Sequence, residues 1–167
     1  MSRRLAIPAA ILVVLVGAGI FAWTTRETSD EREIRARLDT LRTEVNTSTK
    51  DGIGTALHAV QIGSYFSEDA VVELGDGAAP IKGRDTVTGM VARLQPRTAA
   101  FQMKLDDVTI EMTPGSNMAD VLLTASFARR NISTGEESLD AREYALVMTK
   151  ADGTWRIARI TAIDTLR

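Results

Sequence analysis

The hydrophobic positions of this chain change rhythm along its length. From Leu5 to Trp23 they are continuous: LAIPAAILVVLVGAGIFAW carries no charge. From Asp30 to about Lys50 they thin to one narrow stripe, Ile34, Leu38, Leu41 and Val45, at spacings of four, three and four. That spacing predicts a helix. Its other faces carry Glu31, Arg32, Glu33, Arg35, Arg37, Asp39, Arg42 and Glu44. Asp30, with Glu33 three residues on, reads as a capping pair at its start. Gly52 to Phe66 predicts a second, weaker helix through Ile53, Ala56, Leu57, Val60 and Ile62, with Gly63 near its end. Ala70 to Leu74 reads as a short strand, and Gly75 to Pro80 has turn chemistry. Gly83-Arg84-Asp85 opens a third helix, with Val87, Met90, Val91 and Leu94 on one face and Pro96 as its stop.

Beyond Pro96 the period becomes two. Phe101 to Met112 reads as a strand, with Val108, Ile110 and Met112 on one side and Asp107, Thr109 and Glu111 on the other. Pro114 to Asn117 is a turn. Ala119, Val121, Leu123, Ala125 and Phe127 then alternate with Asp120, Thr124 and Ser126. Ser133 to Glu136 is another turn, Asp140 to Thr149 a third long strand, and Ala151-Asp152-Gly153 a tight hairpin signal. Trp155 to Ile163 closes the set. Helices followed by long antiparallel strands predict an α+β domain, with helices on one face of a curved sheet. The chain shows no internal repeat and no low-complexity segment.

The continuous apolar run is long enough for a bilayer. As a helix, Leu5 to Trp23 would span about 28 Å, near the hydrocarbon thickness. Arg3 and Arg4 precede it, and Trp23 stands where an interfacial aromatic would. The positive-inside rule then places residues 1–4 in the cytoplasm and the domain on the far, periplasmic or extracellular, side. The division is thus 1–4 cytoplasmic, 5–23 transmembrane, 24–29 linker and 30–167 domain. The rival is a cleaved signal peptide, for which Gly17-Ala18-Gly19 supplies small residues. The apolar run continues past that point through Ile20, Phe21, Ala22 and Trp23, which favours a retained anchor.

Charge and cysteine narrow the functions. Of 20 basic and 22 acidic residues, Arg3 and Arg4 precede the apolar run, so the remainder is mildly acidic. A nucleic-acid partner calls for a basic face and is not expected. Electrostatic docking on anionic lipid is disfavoured for the same reason. Cysteine is absent, which excludes a disulfide, a thiolate metal site, a cysteine nucleophile and an acylated cysteine.

Tyr65-Phe66-Ser67-Glu68-Asp69-Ala70-Val71-Val72, then Ile81-Lys82-Gly83-Arg84-Asp85 opening a helix, then four long strands, form an ordered set. The end, from Lys150 through Gly153-Thr154-Trp155-Arg156-Ile157 to Ile160, adds a Gly-x-Trp-x-Ile hairpin. From about Asp30 to Arg167 the chain resembles the nuclear-transport-factor-2-like superfamily, in its SnoaL-like branch. The resemblance implies a cone-shaped fold whose bent sheet wraps a pocket, and often a dimer through the sheet's outer face. It also implies several possible roles, because this fold hosts isomerases, cyclases, dehydratases, ligand carriers and structural modules. Fold alone does not select among them.

Candidate chemistry is sparse. His58 is the only histidine and the weak candidate for a general base, since enzymes of the superfamily often use Asp or His in the pocket. The same residue on a helix also reads as a satisfied core or surface group. Tyr65, Phe66, Tyr144 and Trp155 are pocket candidates in the family's cone, or else core. Arg142 and Tyr144 share one strand face with Leu146 and Met148. Ala141, Glu143, Ala145 and Val147 share the other face, so one of the two faces puts Arg142 or Glu143 toward the concave side, where it could bind an acidic or basic ligand; the alternative is a cross-strand ion pair on a solvated face, for instance with Arg129 or Arg156. Asp106-Asp107 and Glu136-Glu137 are neighbours that point to opposite strand faces, so neither is a carboxylate dyad. Asp85 reads as a helix cap and Asp69 as a turn residue. Asn131-Ile132-Ser133 matches a glycosylation sequon. No phosphate loop, metal-ligand spacing or nucleophile elbow is present, and no cofactor or metal is expected.

Three functions remain open. The first is a membrane-anchored, non-catalytic module on the non-cytoplasmic face that binds a small molecule or a protein. The second is an assembly component of a secretion or lipid-import envelope complex. The third is an isomerase or cyclase with His58 as base and Tyr65 or Tyr144 as donor. Expected partners are the membrane through residues 5–23, a second copy through the sheet or the 30–50 helix, and an envelope protein.

Overall fold

The computed structural model describes residues 28–47, 52–75, 77–94, 99–131, 135 and 137–163. The chain divides into two compact units, Met1–Arg32 and Glu33–Arg167. The run from Leu5 to Trp23 lies outside the described residues, as do Pro96, Ser133 and Glu136. Among the described residues no helix is long and apolar enough to cross a membrane.

The first helix, α1, is Ser29–Val45. Its cap lies two residues before the Asp30–Glu33 pair read from sequence. The Glu31 amide donates to the Thr28 hydroxyl at 3.2 Å, and the Thr28 amide donates to a Glu31 carboxylate oxygen at 2.9 Å. This reciprocal box forms because Ser29 is already helical, which leaves Thr28 as the N-cap. Glu33 is instead held by the Lys150 ammonium at 2.8 Å. The α1 stripe is buried: Ile34, Leu38 and Leu41 are at most 9% exposed and share a core with Val121, Leu123 and Leu146.

Helix α2, Gly52–Gly63, comes next, then β1 (Phe66–Glu73), β2 (Ile81–Lys82), α3 (Arg84–Leu94), β3 (Ala99–Met112), β4 (Met118–Asn131), β5 (Glu137–Ala151) and β6 (Thr154–Ala162). Of the apolar positions read for helix α2, only Ile62 enters the core. His58, Ala59 and Ile62 are buried, while Ile53, Leu57 and Val60 are exposed. The α3 helix buries Val87 and half-buries Met90 and Val91, as their spacing predicts.

Six strands form one mixed sheet in the order β2-β1-β6-β5-β4-β3. All neighbours are antiparallel except β1 and β6, which run parallel. Two features were not expected from the sequence. Strand β2 is only two residues long, too short to show a period. The β1–β6 pairing joins the two ends of the domain.

Two bulges keep the apolar residues on one face. On β3, Asp106 faces Thr124 but Thr109 faces Leu122, so β3 carries one extra residue. Asp107 absorbs it at φ 53°, a left-handed conformation that Asp tolerates better than most residues. Met103 and Leu105 before the bulge and Val108, Ile110 and Met112 after it therefore all join or pack against the core. On β6, Met148 faces Ile157 while Val147 faces Arg159. Parity shifts again, and Trp155, Ile157, Ile160 and Ala162 are all directed inward or half-buried. The β5–β6 loop is Asp152-Gly153 with φ 52° and 72°, the type I′ signature the sequence predicts.

Candidate ligand site on the concave face

Along β5 the side chains alternate between faces. Leu146 and Met148 are buried, so Arg142 and Tyr144 stand on the same, core-side face, with Asp140 next in line at an exposed position. Glu143, the other charged residue weighed at this point, is exposed. The register supplies the apolar neighbours: Leu123 faces Tyr144, Ala125 faces Arg142 and Phe127 faces Asp140 on β4. On the other side Ala162 of β6 faces Tyr144.

The Arg142 guanidinium is held in place. Its Nη1 donates to the Leu74 carbonyl at 2.9 Å, just beyond β1. Burial pushes the Tyr144 phenol above its usual ionisation range; Arg142 opposes that shift and Asp140 reinforces it. The phenol therefore stays a neutral donor over the physiological range. Two donors, one cationic and one neutral, thus stand on one strand face beside Phe127, Ala125 and Leu123. That arrangement suits a ligand with an acidic or carbonyl head and an apolar body.

The other candidates lie elsewhere. Phe66 pairs in register with Ile157, whose amide donates to the Tyr65 carbonyl at 2.8 Å. Tyr65, Phe66 and Trp155 are 4%, 7% and 3% exposed and belong to the core. The Arg37 guanidinium lies 4.0 Å over the Tyr65 ring and donates to the Ser64 carbonyl at 3.2 Å. Desolvation pushes the Tyr65 phenol up; Arg37 pulls it down and Glu44 pushes it up. Trp155 stands opposite Lys150, whose ammonium is 5.7 Å from the ring centroid.

His58 is 5% exposed. Its Nε2 lies 2.7 Å from the Glu44 carbonyl, to which it donates, and 3.8 Å from a Glu44 carboxylate oxygen. That carbonyl, in the last turn of α1, also accepts from the Thr47 amide at 2.9 Å. His58 thus ties α2 to the end of α1. Among the described residues no group of three or more His, Asp or Glu side chains is placed to hold a metal ion.

Sequence reasoning passed over Phe127, Asp140 and Leu74. Asp140 shares the parity of Arg142 and was available in principle. Phe127 becomes a neighbour only through the β4–β5 register, and Leu74 only through the parallel β1–β6 pairing.

Helices packed on a six-stranded mixed sheet of this order make an α+β domain. The family model of the SnoaL-like domain matches residues 26–161, and the chain belongs to that family. Solved structures share the fold. One from Novosphingobium aromaticivorans, provisionally named a scytalone dehydratase, is 15% identical with TM-score 0.67, covering 82% of this chain and 85% of its own. A ketosteroid isomerase-like protein from Erwinia carotovora atroseptica is 17% identical with TM-score 0.60, covering 83% and 100%. A nuclear-transport-factor-2-like protein with a cystatin-like fold from Novosphingobium aromaticivorans is 17% identical with TM-score 0.61, covering 97% and 90%. No functionally curated protein matches the sequence.

Proposed function

We propose that this protein is a membrane-anchored SnoaL-like module that binds an amphipathic small molecule and performs no chemistry on it. Residues 5–23 hold it in the membrane and the domain faces the non-cytoplasmic side. The observation that carries the binding role is the Arg142–Tyr144 pair, with Arg142 oriented by the Leu74 carbonyl at 2.9 Å. A pre-oriented guanidinium loses little freedom on binding a carboxylate or carbonyl. The non-catalytic reading is supported by His58, whose Nε2 is engaged by the Glu44 carbonyl at 2.7 Å. At 5% exposure His58 also offers a substrate little access. Two of the named solved structures carry the names of an isomerase and a dehydratase, which keeps catalysis as the reading the experiment must exclude.

A second role has its own observation. Leu122 is 45% and Leu139 74% exposed. They lie on the outer face of β4 and β5, where Leu122 faces Ala145 and Leu139 faces Ala128. These two exposed leucines, on a face that also carries Asp120, Thr124 and Glu143, would be the apolar contacts to a second copy or an envelope partner within a complex.

The test is an NMR titration of the full chain in detergent with naphthalene-2-carboxylate. Saturable shifts of the Tyr144 ring are expected, with affinity falling about tenfold or more in Arg142→Ala and little in His58→Gln. Binding indifferent to both Arg142→Ala and Tyr144→Phe removes the site. Turnover of a cyclic ketone that disappears in His58→Gln makes the protein an enzyme.

A further inference from the structure

The inward face of β5 is graded in depth. The β4–β5 register runs unbroken from the Met118–Thr149 pair to the Arg130–Glu137 pair, so alternation holds along the strand. On the inward face Met148 and Leu146 are buried, Tyr144 and Arg142 half-buried and Asp140 exposed. From floor to mouth the polar groups therefore follow in a fixed order. Tyr144 is a neutral donor, Arg142 a cationic donor, and the Asp140 carboxylate an acceptor only. Two residues along a strand cover about 7 Å and four about 14 Å, which is the length range of a small amphiphile. Half-buried Phe127 faces Asp140 across the register and supplies an apolar wall at the mouth. Burial raises the Tyr144 phenol, Arg142 opposes the rise and Asp140 adds to it. The carboxylate thus lies within electrostatic reach of the donor pair.

From this order we infer that Asp140 sets the ligand class of the site: a molecule with an acceptor at its inner end, for Arg142 and Tyr144, and a hydroxyl donor at its outer end, for Asp140, joined by an apolar body. The inference rests on the proposal that Arg142 and Tyr144 hold a ligand. A carboxylate about 7 Å along the strand from Arg142 offsets part of the guanidinium's pull on an acidic head. A ligand without a donor meets only that repulsion. A ligand with an outer hydroxyl converts it into a charge-assisted hydrogen bond, so the site favours a hydroxy acid or hydroxy ketone over a plain one. Arg129 follows Phe127 on the same face of β4 and is exposed. It faces Ser138, which sets it diagonal to Asp140. An ion pair there would still leave Asp140 acceptor positions, since a carboxylate offers about four.

The test titrates the full chain in detergent at neutral pH with naphthalene-2-carboxylate and its 6-hydroxy and 6-methoxy derivatives. The methoxy group keeps the size and the acceptor of the hydroxyl but removes the donor. The hydroxy ligand is expected to bind about tenfold tighter than the methoxy ligand. Asp140→Ala should abolish that preference while tightening plain naphthalene-2-carboxylate about twofold, because a like charge is gone. These opposite signs separate a specificity role from a structural one, which would weaken all three ligands together. Arg129→Ala should keep the preference. Equal binding of the hydroxy and methoxy ligands, or a preference that survives Asp140→Ala, overturns the inference; the proposed site still stands if Arg142→Ala weakens naphthalene-2-carboxylate. A preference lost in Arg129→Ala but kept in Asp140→Ala assigns the outer contact to Arg129 and overturns the role of Asp140. If none of the three ligands binds, both the site and the inference fall.

Discussion

The side-chain amide of Asn46 closes both backbone hydrogen bonds of Met103. It donates to the Met103 carbonyl at 2.8 Å and accepts from the Met103 amide at 2.6 Å. Met103 lies on β3, the edge strand of the sheet. Asn46, one residue past α1, thus stands in for the missing neighbouring strand. Arg35 does the same further along, donating to the Val108 carbonyl at 3.2 Å. Helix α1 therefore masks an edge that would otherwise be open to pairing with another chain.

Replacing Asn46 by Ala removes both bonds. The expected cost is about 1–3 kcal/mol, at the lower end because an edge strand can recover hydrogen bonds from water. Urea denaturation measures the loss, and amide exchange should accelerate at Met103 more than at Ile110. Unchanged protection at Met103 would contradict the role given to Asn46.

Gly63 ends α2 against α3. A Cβ there would overlap the Thr88 hydroxyl, with Thr88 Cβ only 3.3 Å away. Gly63→Ala is expected to destabilise by about 1–3 kcal/mol through overpacking. Thr88→Ala should recover part of that loss. A double-mutant cycle checks it, and strict additivity would show that the two positions do not interact.

His58→Ala removes one of the two donors to the Glu44 carbonyl, leaving the Thr47 amide, and opens space at the α1–α2 seam. A loss of about 2–4 kcal/mol is expected from the lost bond and the cavity. His58→Gln, whose amide nitrogen extends about as far as Nε2, should restore a part. Thermal unfolding with both variants distinguishes this structural tie from a catalytic role, in which stability would barely change.

Alkaline pH gives a readout with a definite sign. The chain contains two tyrosines, and burial raises both Tyr65 and Tyr144 above the ordinary phenol value of 10.0. The folded state therefore holds these phenolic protons more tightly than the unfolded chain. Their contribution is fully present below pH about 10, the unfolded phenol value, and is lost as pH rises through the folded values. Absorbance at 295 nm should show phenolate appearing later in the folded protein than in urea. Tyr144→Phe should make the alkaline loss of stability shallower.

Much of the architecture was legible in the chain. The α1 stripe needed only its own spacing, because a helix with one apolar face has a single way to bury it. The strands from Phe101 onward showed their alternation, and Asp152-Gly153 announced its turn through backbone preference alone. Local chemistry also marked Arg142 and Tyr144 as residues sharing a face. It did not say which face. That required Leu146 and Met148 to be buried against α1 and β4, a property of the assembled sheet.

His58 and α2 show where local reading stops. By pattern, Ile53, Leu57 and Val60 belong inside; the structure exposes them and buries His58, whose Nε2 meets the Glu44 carbonyl at the end of α1. The same holds for the bulges in β3 and β6, which become visible only when two strands are laid in register. The sequence alone determined the features that neighbours within a few residues dictate: helix and strand periods, turn type, the absence of cysteine chemistry and one uncharged run. Tertiary structure decided which of two faces is the inner one, which partner each polar group meets, and which residues share a site. Those outcomes depend on contacts between segments far apart in the chain, whose free energy no local pattern encodes.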